Sequence, residues 1–327
     1  MPDSGLVQCR LCPKECRLLP GERGDCRVRV NLHGKLITLV YAKACALHVD
    51  PIEKKPLFHF LPGSSAFSVA TAGCNLHCLN CQNWDISQAD PENVDNIDLQ
   101  PAQLVAEAVA HRCRTIAYTY TDPIIFYEYA LDSCREAGER GLYNVLITAG
   151  FINPKPMEEL AQVSHGANVD LKAFSDGFYR KITTGRLKPV LNAITTLRRH
   201  GVWVEITNLV IPTMNDGDDM VREMCGWIMS ELGPDVPLHL SRFFPRYKMK
   251  DLPRTPASTL RRLRDLALSE GLHHVYIGNL GAPDSETTYC PSCGRKAIVR
   301  RGYTILENNI AGGHCSGCGE AIAGVWR

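Results

Sequence analysis

The sequence predicts an α/β fold, a full or partial (β/α) barrel that carries a small cysteine-rich module at each end. Two observations predict the barrel: short β-branched runs and longer amphipathic segments alternate between residues 65 and 280, and they supply about seven strands. Regular alternation of this kind is typical of βαβ units and a parallel sheet. A third observation, cysteines clustered in three groups with repeated C-x2-C spacing, predicts the metal-binding modules.

The elements follow from pattern and from turn residues. The predicted strands span 66–71, 115–119, 144–148, 167–171, 202–210, 238–241 and 275–277, and the predicted helices lie near 101–113, 123–140, 155–163, 187–200, 216–232 and 256–271. Pro101, Pro123 and Pro256 stand at the expected first turn of a helix, and Gly141, Gly201 and Gly271 stand where a helix is expected to end. We expect three parts: an N-terminal four-cysteine metal module over 1–50, the barrel over 51–282, and a zinc-ribbon-like tail over 286–327.

Composition limits the classes of function. Of 327 residues, 45% are apolar and 22% charged, and the net charge of +1 argues against a nucleic-acid surface as the main feature. The N-terminus lacks the pattern of a secretory signal, and no apolar stretch has the length of a membrane span. We therefore expect a cytoplasmic protein without a membrane partner. In that compartment, clustered cysteines indicate metal sites rather than disulfides.

The central motif places Cys74, Cys78 and Cys81 at C-x3-C-x2-C spacing, directly after the strand at 66–71. A structural zinc ion or an electron-transfer [4Fe–4S] cluster normally takes four protein ligands. Three thiolates on a four-iron cube leave one iron open to a non-protein ligand, where metal chemistry can take place. The alternative is a Cys3His zinc site that uses His77 or a more distant histidine.

This spacing resembles the radical S-adenosylmethionine (radical SAM) superfamily. The chain is also similar to the AmmeMemoRadiSam-system radical SAM enzymes, which are relatives of pyruvate formate-lyase activating enzymes. The segments that carry this similarity are 9–26, 50–60, 81–88, 241–245 and 275–279. The resemblance implies a [4Fe–4S] cluster whose open iron binds S-adenosylmethionine, and one-electron cleavage to a 5′-deoxyadenosyl radical that abstracts hydrogen from a substrate. It also implies a reductant such as ferredoxin or flavodoxin. The substrate, a small molecule, peptide or protein, is not identified.

The same resemblance implies contacts to S-adenosylmethionine. Asp122 follows the second barrel strand, where the superfamily usually has a Gly-Gly-Glu-type motif, and would hold the amino group. The pair Asp170 and Lys172 matches the D-x-K element of glycyl-radical activases, with Lys172 neutralising the cofactor carboxylate. Alternation in a strand points both side chains to one side. The alternatives are a helix N-cap for Asp122 and a structural salt bridge for the pair.

Three weaker candidates complete this set. His239 matches an activase histidine that reaches the cofactor, and an ordinary core histidine is the alternative. Asn208 is a candidate for a ribose or carboxylate contact. Asn80 occupies a position that is commonly aromatic and contacts adenine in the superfamily, so adenine recognition could use the backbone or Leu79 instead.

The tail has a C-x2-C-x21-C-x2-C pattern with a glycine after each pair, formed by Cys290, Cys293, Cys315 and Cys318. This pattern predicts a tetrahedral four-thiolate site, with zinc favoured and iron as the alternative. The N-terminal quartet consists of Cys9, Cys12, Cys16 and Cys26. For it we favour structural zinc, and the alternative is an auxiliary [4Fe–4S] cluster that passes electrons or binds substrate.

Three functions are compatible with these patterns. The first is a radical SAM enzyme that acts on an unidentified substrate. The second is an activating enzyme that installs a glycyl radical on a partner protein, which the D-x-K element supports. The third is a non-catalytic adaptor built from zinc knuckles.

Overall fold

The computed structural model describes residues 5–282 and 284–327. The first part of the chain contains four short strands, β1 (Val7–Gln8), β2 (Arg17–Leu18), β3 (Arg29–Leu32) and β4 (Lys35–Thr38). They form two antiparallel pairs, β1 with β2 and β3 with β4. The hairpin between β3 and β4 turns through His33 and Gly34, both with positive φ, at 52° and 79°. Positive φ at both central residues is the geometry of a two-residue hairpin turn, and glycine adopts it without strain.

The central sheet has eight strands in the spatial order β14-β13-β12-β11-β10-β9-β7-β6. Strand β6 is antiparallel to β7, and all other neighbours in this sheet are parallel. Strand β8 pairs instead with β5. The strands are β5 (Lys43–Ala44), β6 (Ala46–Pro51), β7 (Ser65–Ala70), β8 (Ile97–Asp98), β9 (Thr115–Tyr118), β10 (Tyr143–Thr148), β11 (Gly166–Asp170), β12 (Trp203–Val210), β13 (Leu238–Arg242) and β14 (Val275–Gly278). The sheet therefore forms a partial barrel that ends at β14 and β6.

Helices connect the parallel strands. They are α1 (Trp84–Ser87), α2 (Pro101–Ala110), α3 (Tyr127–Glu139), α4 (Pro154–Ala161), α5 (Asp176–Phe178), α6 (Leu187–Arg199), α7 (Asp218–Glu231) and α8 (Ala257–Ser269), with short 3-10 turns at Ile52–Lys54 and Pro91–Asn93 and a π-helical turn at Tyr179–Thr183. Helix α6 shows why they pack on the sheet, because its buried residues include Val190, Ala193, Ile194 and Leu197. This spacing gives one apolar stripe that faces the core.

The α/β fold with a parallel sheet is confirmed, and the predicted strands and major helices are present. Helix α3 begins later than predicted, at Tyr127 rather than near residue 123. Ile124, Ile125 and Phe126 form turns in which all three side chains are buried, and Ile125 N–H donates to the carbonyl of Asp122. Burial of three consecutive side chains favours an irregular turn, since a helix would turn part of that run outward.

The tail forms a three-stranded sheet and a short pair: β15 (Thr288–Tyr289), β16 (Lys296–Arg301), β17 (Thr304–Asn308), β18 (Ile310–Ala311) and β19 (His314–Cys315). It contacts the barrel through Arg300, whose guanidinium donates to the carbonyl of Phe58 over 2.6 Å. The backbone N–H of Leu61 donates to the carbonyl of Val325 over 2.7 Å. The positions of the domain boundaries stay a prediction.

In the part of the chain that the structure describes, every helix is too short or too polar to cross a bilayer.

Candidate functional site

A large cavity opens where the parallel strands end. It holds about 2220 Å³ of empty space, counting its open mouth, and lies where (β/α) barrels place their active sites. Nearly all the residues predicted for the cluster and its cofactor line it, namely Cys74, Cys78, Cys81, Asn80, Asp122, Asp170, Lys172 and His239. Asn208 does not line the cavity: Thr207 and Leu209 do, so alternation along β12 turns Asn208 to the other face of the sheet, where its side-chain amide donates to the carbonyl of Leu171 over 2.8 Å. The sequence motifs therefore meet in one place.

The cysteine loop is anchored on two sides. On one side, Leu79 N–H donates over 3.0 Å to the carbonyl of Ile182, within the π-helical turn. On the other, Gly73 lies so close to the N-terminal module that a Cβ atom would stand 2.8 Å from the carbonyl oxygen of Cys26. Its φ of 94° also disfavours a side chain. The loop therefore requires glycine at position 73, because the backbone there passes too close to the N-terminal module to carry a side chain.

The three thiols of this loop suit an iron–sulfur cluster. Burial, and next the nearby Asp122 carboxylate, raises the pKa of Cys74 well above its ordinary value, and burial raises the pKa of Cys78 to about 11. Positive charge from iron would be needed to keep both as thiolates. Among the described residues, only the tail cysteines bring three or more ligand atoms within 4.8 Å of one another. The wider separation here fits a cluster in which each thiolate binds a different iron atom.

His77 is held by hydrogen bonds on both ring nitrogens. Nδ1 lies 2.6 Å from Oε1 of Gln88, and Nε2 lies 2.9 Å from Oδ2 of Asp25. Both acceptors favour the doubly protonated ring, and the hydrogen bond to Asp25 raises the pKa of His77. A protonated imidazole cannot bind a metal ion. This geometry argues against the Cys3His zinc site with His77 as fourth ligand.

Asp122 is buried at the end of β9. Its Oδ1 accepts from Thr148 Oγ1 over 2.8 Å and from Ile124 N–H over 3.1 Å, and its Oδ2 accepts from Ala149 N–H over 2.9 Å. Burial raises the pKa of Asp122 despite these donors. Helix α3 has Phe126 at its N-cap position, so Asp122 is not the cap that the alternative expected.

Asp170 and Lys172 form an ion pair at the end of β11. Lys172 Nζ lies 2.9 Å from Oδ2 of Asp170, and the backbone N–H of Lys172 donates to the hydroxyl of Tyr179. Burial lowers the pKa of Lys172, but the Asp170 carboxylate more than offsets this, so the pKa is raised and the ammonium is kept. The pair thus holds an ammonium group and its carboxylate partner on the cavity wall near Cys78.

His239 is oriented by a residue that the sequence analysis missed. Its Nε2 lies 2.7 Å from Oε2 of Glu205, whose side chain is fully buried on β12. The same carboxylate accepts the backbone N–H groups of Phe58 and His59 and the indole N–H of Trp203. Because a carboxylate only accepts, Nε2 of His239 donates to Glu205, which fixes the orientation of the ring. The one acidic residue in this mostly buried strand was the signal available in the sequence.

A second missed group lies at the cavity wall near β6. Asp50 accepts from Lys55 Nζ over 2.6 Å, from Lys54 Nζ over 2.7 Å and from the hydroxyls of Tyr120 and Ser68. Burial acts to raise the pKa of Asp50, but the two ammonium groups and Tyr120 outweigh it and lower that pKa. Both lysines and Tyr120 line the cavity. The run of charged residues directly after a strand could have drawn attention to this group.

The tail quartet has the geometry of a single-ion site. Cys290 Sγ lies 3.6 Å from Cys318 Sγ, and Cys293 Sγ lies 3.8 Å from Cys315 Sγ. Four sulfurs at about 2.3 Å from a tetrahedral ion stand about 3.8 Å apart. Backbone N–H groups of Gly317 and Cys318 lower the pKa of Cys315 to about 7, which favours the thiolate. This four-cysteine site can bind a metal ion and is consistent with a zinc ribbon.

The comparisons identify the class of protein. Residues 68–225 match the sequence pattern of the Radical SAM superfamily. The chain belongs to the radical SAM superfamily and is an enzyme of that class. At the level of the individual protein, it is 42% identical to uncharacterized protein MJ0808 of Methanocaldococcus jannaschii over 322 aligned residues. The alignment covers 98% of this chain and 96% of the relative.

More distant relatives agree with this class. The pyruvate formate-lyase-activating enzyme of Clostridium pasteurianum is 22% identical over 192 residues, which cover 55% of this chain and 80% of that enzyme. A radical SAM methyltransferase from Sphaerobacter thermophilus aligns with a TM-score of 0.50 and 15% identity, over 85% of this chain and 78% of its own. Streptococcus suis SuiB bound to precursor peptide SuiA aligns with a TM-score of 0.53 and 11% identity, over 70% and 51%. Identities this low show the shared fold alone.

Membership of this class sets aside the interpretation of the chain as a non-catalytic zinc adaptor. The class implies a [4Fe–4S] cluster and S-adenosylmethionine, and the chemistry of the cavity wall fits both. The narrower resemblance to the AmmeMemoRadiSam-system enzymes stays a prediction.

Proposed function

We propose that this enzyme binds a [4Fe–4S] cluster through Cys74, Cys78 and Cys81 and uses it to cleave S-adenosylmethionine reductively. When bound, the cluster supplies the electron for cleavage to a 5′-deoxyadenosyl radical, which removes hydrogen from an unidentified small molecule, peptide or protein. The observation that carries the proposal is that the three half-buried thiols of one loop, whose histidine is already held by two hydrogen bonds, share a cavity with a carboxylate and an ammonium group. The carboxylate would complement the ammonium group, and the ammonium group the carboxylate, of the amino-acid part of S-adenosylmethionine.

Two side chains would bind the amino-acid part of the cofactor. Lys172 carries a positive charge at the wall and would pair with the cofactor carboxylate. Asp122 Oδ2 accepts only one protein N–H, so a lone pair remains for a hydrogen bond from the cofactor ammonium group. The ammonium charge would also oppose the effect of burial on Asp122 and favour its ionised form.

The other cavity residues would orient and enclose the reactants. His239 lines the cavity and its ring is oriented by Glu205, which supports a positioning role at the cofactor side. Asn80 is kept as a weaker candidate at the cavity wall, whereas Asn208, which does not line the cavity, would act only through its hydrogen bond to the carbonyl of Leu171. The group of Asp50, Lys54, Lys55 and Tyr120 would present a polar wall to the substrate.

A second candidate is the installation of a glycyl radical on a partner protein. Similarity to an enzyme described as pyruvate formate-lyase-activating favours it, together with the ion pair of Asp170 and Lys172. Anaerobic co-expression with a glycyl radical enzyme would test it. A glycyl radical signal in electron paramagnetic resonance, present only with both proteins and S-adenosylmethionine, would select this candidate.

The first candidate is tested by anaerobic reconstitution with iron and sulfide, followed by dithionite and S-adenosylmethionine. We expect 5′-deoxyadenosine and methionine, detected by chromatography, and a low-potential carrier such as ferredoxin or flavodoxin should replace dithionite. Cys78→Ala should abolish the product, whereas Cys113→Ala, which removes a buried thiol away from the cavity, should retain it. A fully loaded wild-type protein that forms no 5′-deoxyadenosine would refute the proposal.

A further inference from the structure

The four N-terminal cysteines surround a second, smaller cavity. Cys9, Cys12, Cys16 and Cys26 all line it, and it holds about 380 Å³ of empty space, counting its opening to solvent. We propose that this cavity holds a second [4Fe–4S] cluster, bound by all four thiolates, that relays electrons to the cluster at Cys74, Cys78 and Cys81. This assignment replaces the structural zinc that the sequence favoured.

The separation of the thiols distinguishes the two metals. One zinc ion bonds four sulfurs at about 2.3 Å and requires them to stand about 3.8 Å apart. The tail quartet of the same chain meets this requirement. Within the described residues, no three thiols of the N-terminal quartet lie within 4.8 Å of one another. A quartet that surrounds a cavity but is too wide for one ion matches a cube in which each cysteine binds its own iron.

The lining of this cavity suits an anionic, buried cluster. Arg29 is 5% exposed and lines it, and its Nε atom has no hydrogen-bond partner among the described residues although the rest of the guanidinium binds Glu128. A four-iron cluster with four thiolates carries net negative charge, so a buried guanidinium beside it is favourable. Leu11, Ile124 and Ile125 supply apolar walls, which keep water from the sulfurs.

The two cysteine sites are neighbours through the backbone. Asn75, which directly follows Cys74, is 1% exposed and lines the N-terminal cavity. Its Oδ1 has no partner among the side chains that the structure describes. Gly73, which directly precedes Cys74, approaches the carbonyl of Cys26 closely. One peptide segment therefore borders both sites, which is the short contact that electron transfer requires.

The relay moves one electron and no atoms. A reduced low-potential carrier protein is oxidised by one electron, the second cluster takes up that electron and passes it to the first, and the second cluster returns to its oxidised state. Since all four of its irons have protein ligands, the second cluster offers no open position to a substrate. The relay rests on the proposed function, whereas the metal assignment does not.

Metal content tests the assignment in the full chain. After anaerobic reconstitution and desalting, the wild type should hold about eight irons and one zinc per chain, since each cluster contributes four irons. The variant Cys74→Ala/Cys78→Ala/Cys81→Ala should keep about four irons, and Cys9→Ala/Cys12→Ala should also keep about four. Cys45→Ala, a half-buried thiol outside the three groups, is the matched control and should keep about eight. Two zincs per chain, or a triple variant without iron, would overturn the assignment.

A second measurement avoids dependence on the folding of these variants. In the dithionite-reduced wild type, electron paramagnetic resonance should show two cluster signals, of which S-adenosylmethionine changes only one. A single signal that accounts for all the iron and responds completely to S-adenosylmethionine would contradict a second cluster.

The relay is tested by comparing reductants. Cys12→Ala should lower the ratio of the flavodoxin-driven rate to the dithionite-driven rate of 5′-deoxyadenosine formation at least about tenfold relative to the wild type. Equal changes with both reductants would refute the relay. This result can be distinguished from failure of the proposed function. In that case the wild type itself would form no 5′-deoxyadenosine with dithionite.

Discussion

The Nε2 atom of His239 lies 2.7 Å from Oε2 of Glu205, and both side chains are almost completely removed from solvent. The same carboxylate accepts hydrogen bonds from Phe58 and His59, at the segment that precedes β7. Glu205 therefore connects the last strands of the barrel with the segment that leads into its first parallel strand. Its loss should affect stability and the cavity together.

Glu205→Gln should destabilise the fold by about 2–3 kcal/mol. The amide keeps the shape of the side chain, but its NH2 group would face N–H donors, and a buried donor without an acceptor costs about 1–3 kcal/mol. Chemical denaturation, followed by circular dichroism, measures the change in the free energy of unfolding. Thr207→Val on the same strand is the control, because Thr207 Oγ1 is buried without a partner within the described residues, and it should change stability by less than about 0.5 kcal/mol. Equal effects of both substitutions would contradict the role given to Glu205.

Lys172→Met should weaken binding of S-adenosylmethionine about 10- to 100-fold, because a charge-assisted hydrogen bond contributes about 1.5–3 kcal/mol. Titration calorimetry on the reconstituted enzyme measures the Kd. Lys181→Met, at an exposed position on the π-helical turn, is the matched control and should leave the Kd unchanged. If both variants bind like the wild type, the ion pair with Asp170 is purely structural.

Cys318→Ala, or removal of metal from the tail by a chelator, should lower the Tm while the radical cluster is retained. A four-thiolate ion in a fold this small contributes directly to folding free energy. Differential scanning calorimetry reports the loss of stability, and iron analysis reports the clusters. Cys78→Ala should show the reverse, with lost iron and little change in the unfolding of the tail. Loss of the 5′-deoxyadenosine product in Cys318→Ala at low temperature, with full iron, would contradict this separation.

His274 predicts a specific dependence of stability on pH. Burial lowers its pKa from 6.5 to about 4, and its ring centroid lies 4.4 Å from that of the buried His59. Between pH 4 and pH 6.5, His274 therefore binds a proton in the unfolded chain but not in the folded chain. This contribution to stability is therefore fully present above pH 6.5 and is lost as the pH falls towards 4, with an upper value of about 3 kcal/mol.

His274→Phe should flatten the slope of unfolding free energy between pH 4 and 6.5, measured by urea denaturation at each pH. The adjacent His273→Phe is the control, since His273 is largely exposed and pairs with Asp235 at the surface. Parallel slopes for His274→Phe and the wild type would show that this residue does not titrate with folding.

The fold could be predicted because its signals are local. Alternation of β-branched runs with amphipathic segments identified all seven parallel strands, and the first-turn proline Pro101 identified the start of α2. Motif spacing also brought Cys74, Asp122 and Lys172 to one cavity, since each lies at or just beyond the end of a strand and parallel strands end on the same side.

The relationships that were missed depend on distant contacts. Glu205 meets Phe58 and His59 from about 146 positions away, and no local period encodes such a meeting. The start of α3 was misjudged because burial of Ile124 and its neighbours overrides the first-turn preference of Pro123. The metal of the N-terminal quartet could not be chosen from C-x2-C spacing alone, because thiol separation is a property of the folded chain.

The tail supplies part of the chamber in which the chemistry would occur. Glu286, Gly302 and Tyr303 border the cavity, and Arg300 fixes their strands to the barrel through Phe58. The eight-stranded sheet ends at β14 and β6, so these residues stand beside a side that the sheet leaves open. Loss of metal from the tail would therefore do more than loosen a peripheral module, because it would open to bulk water the cavity in which the proposed radical would form.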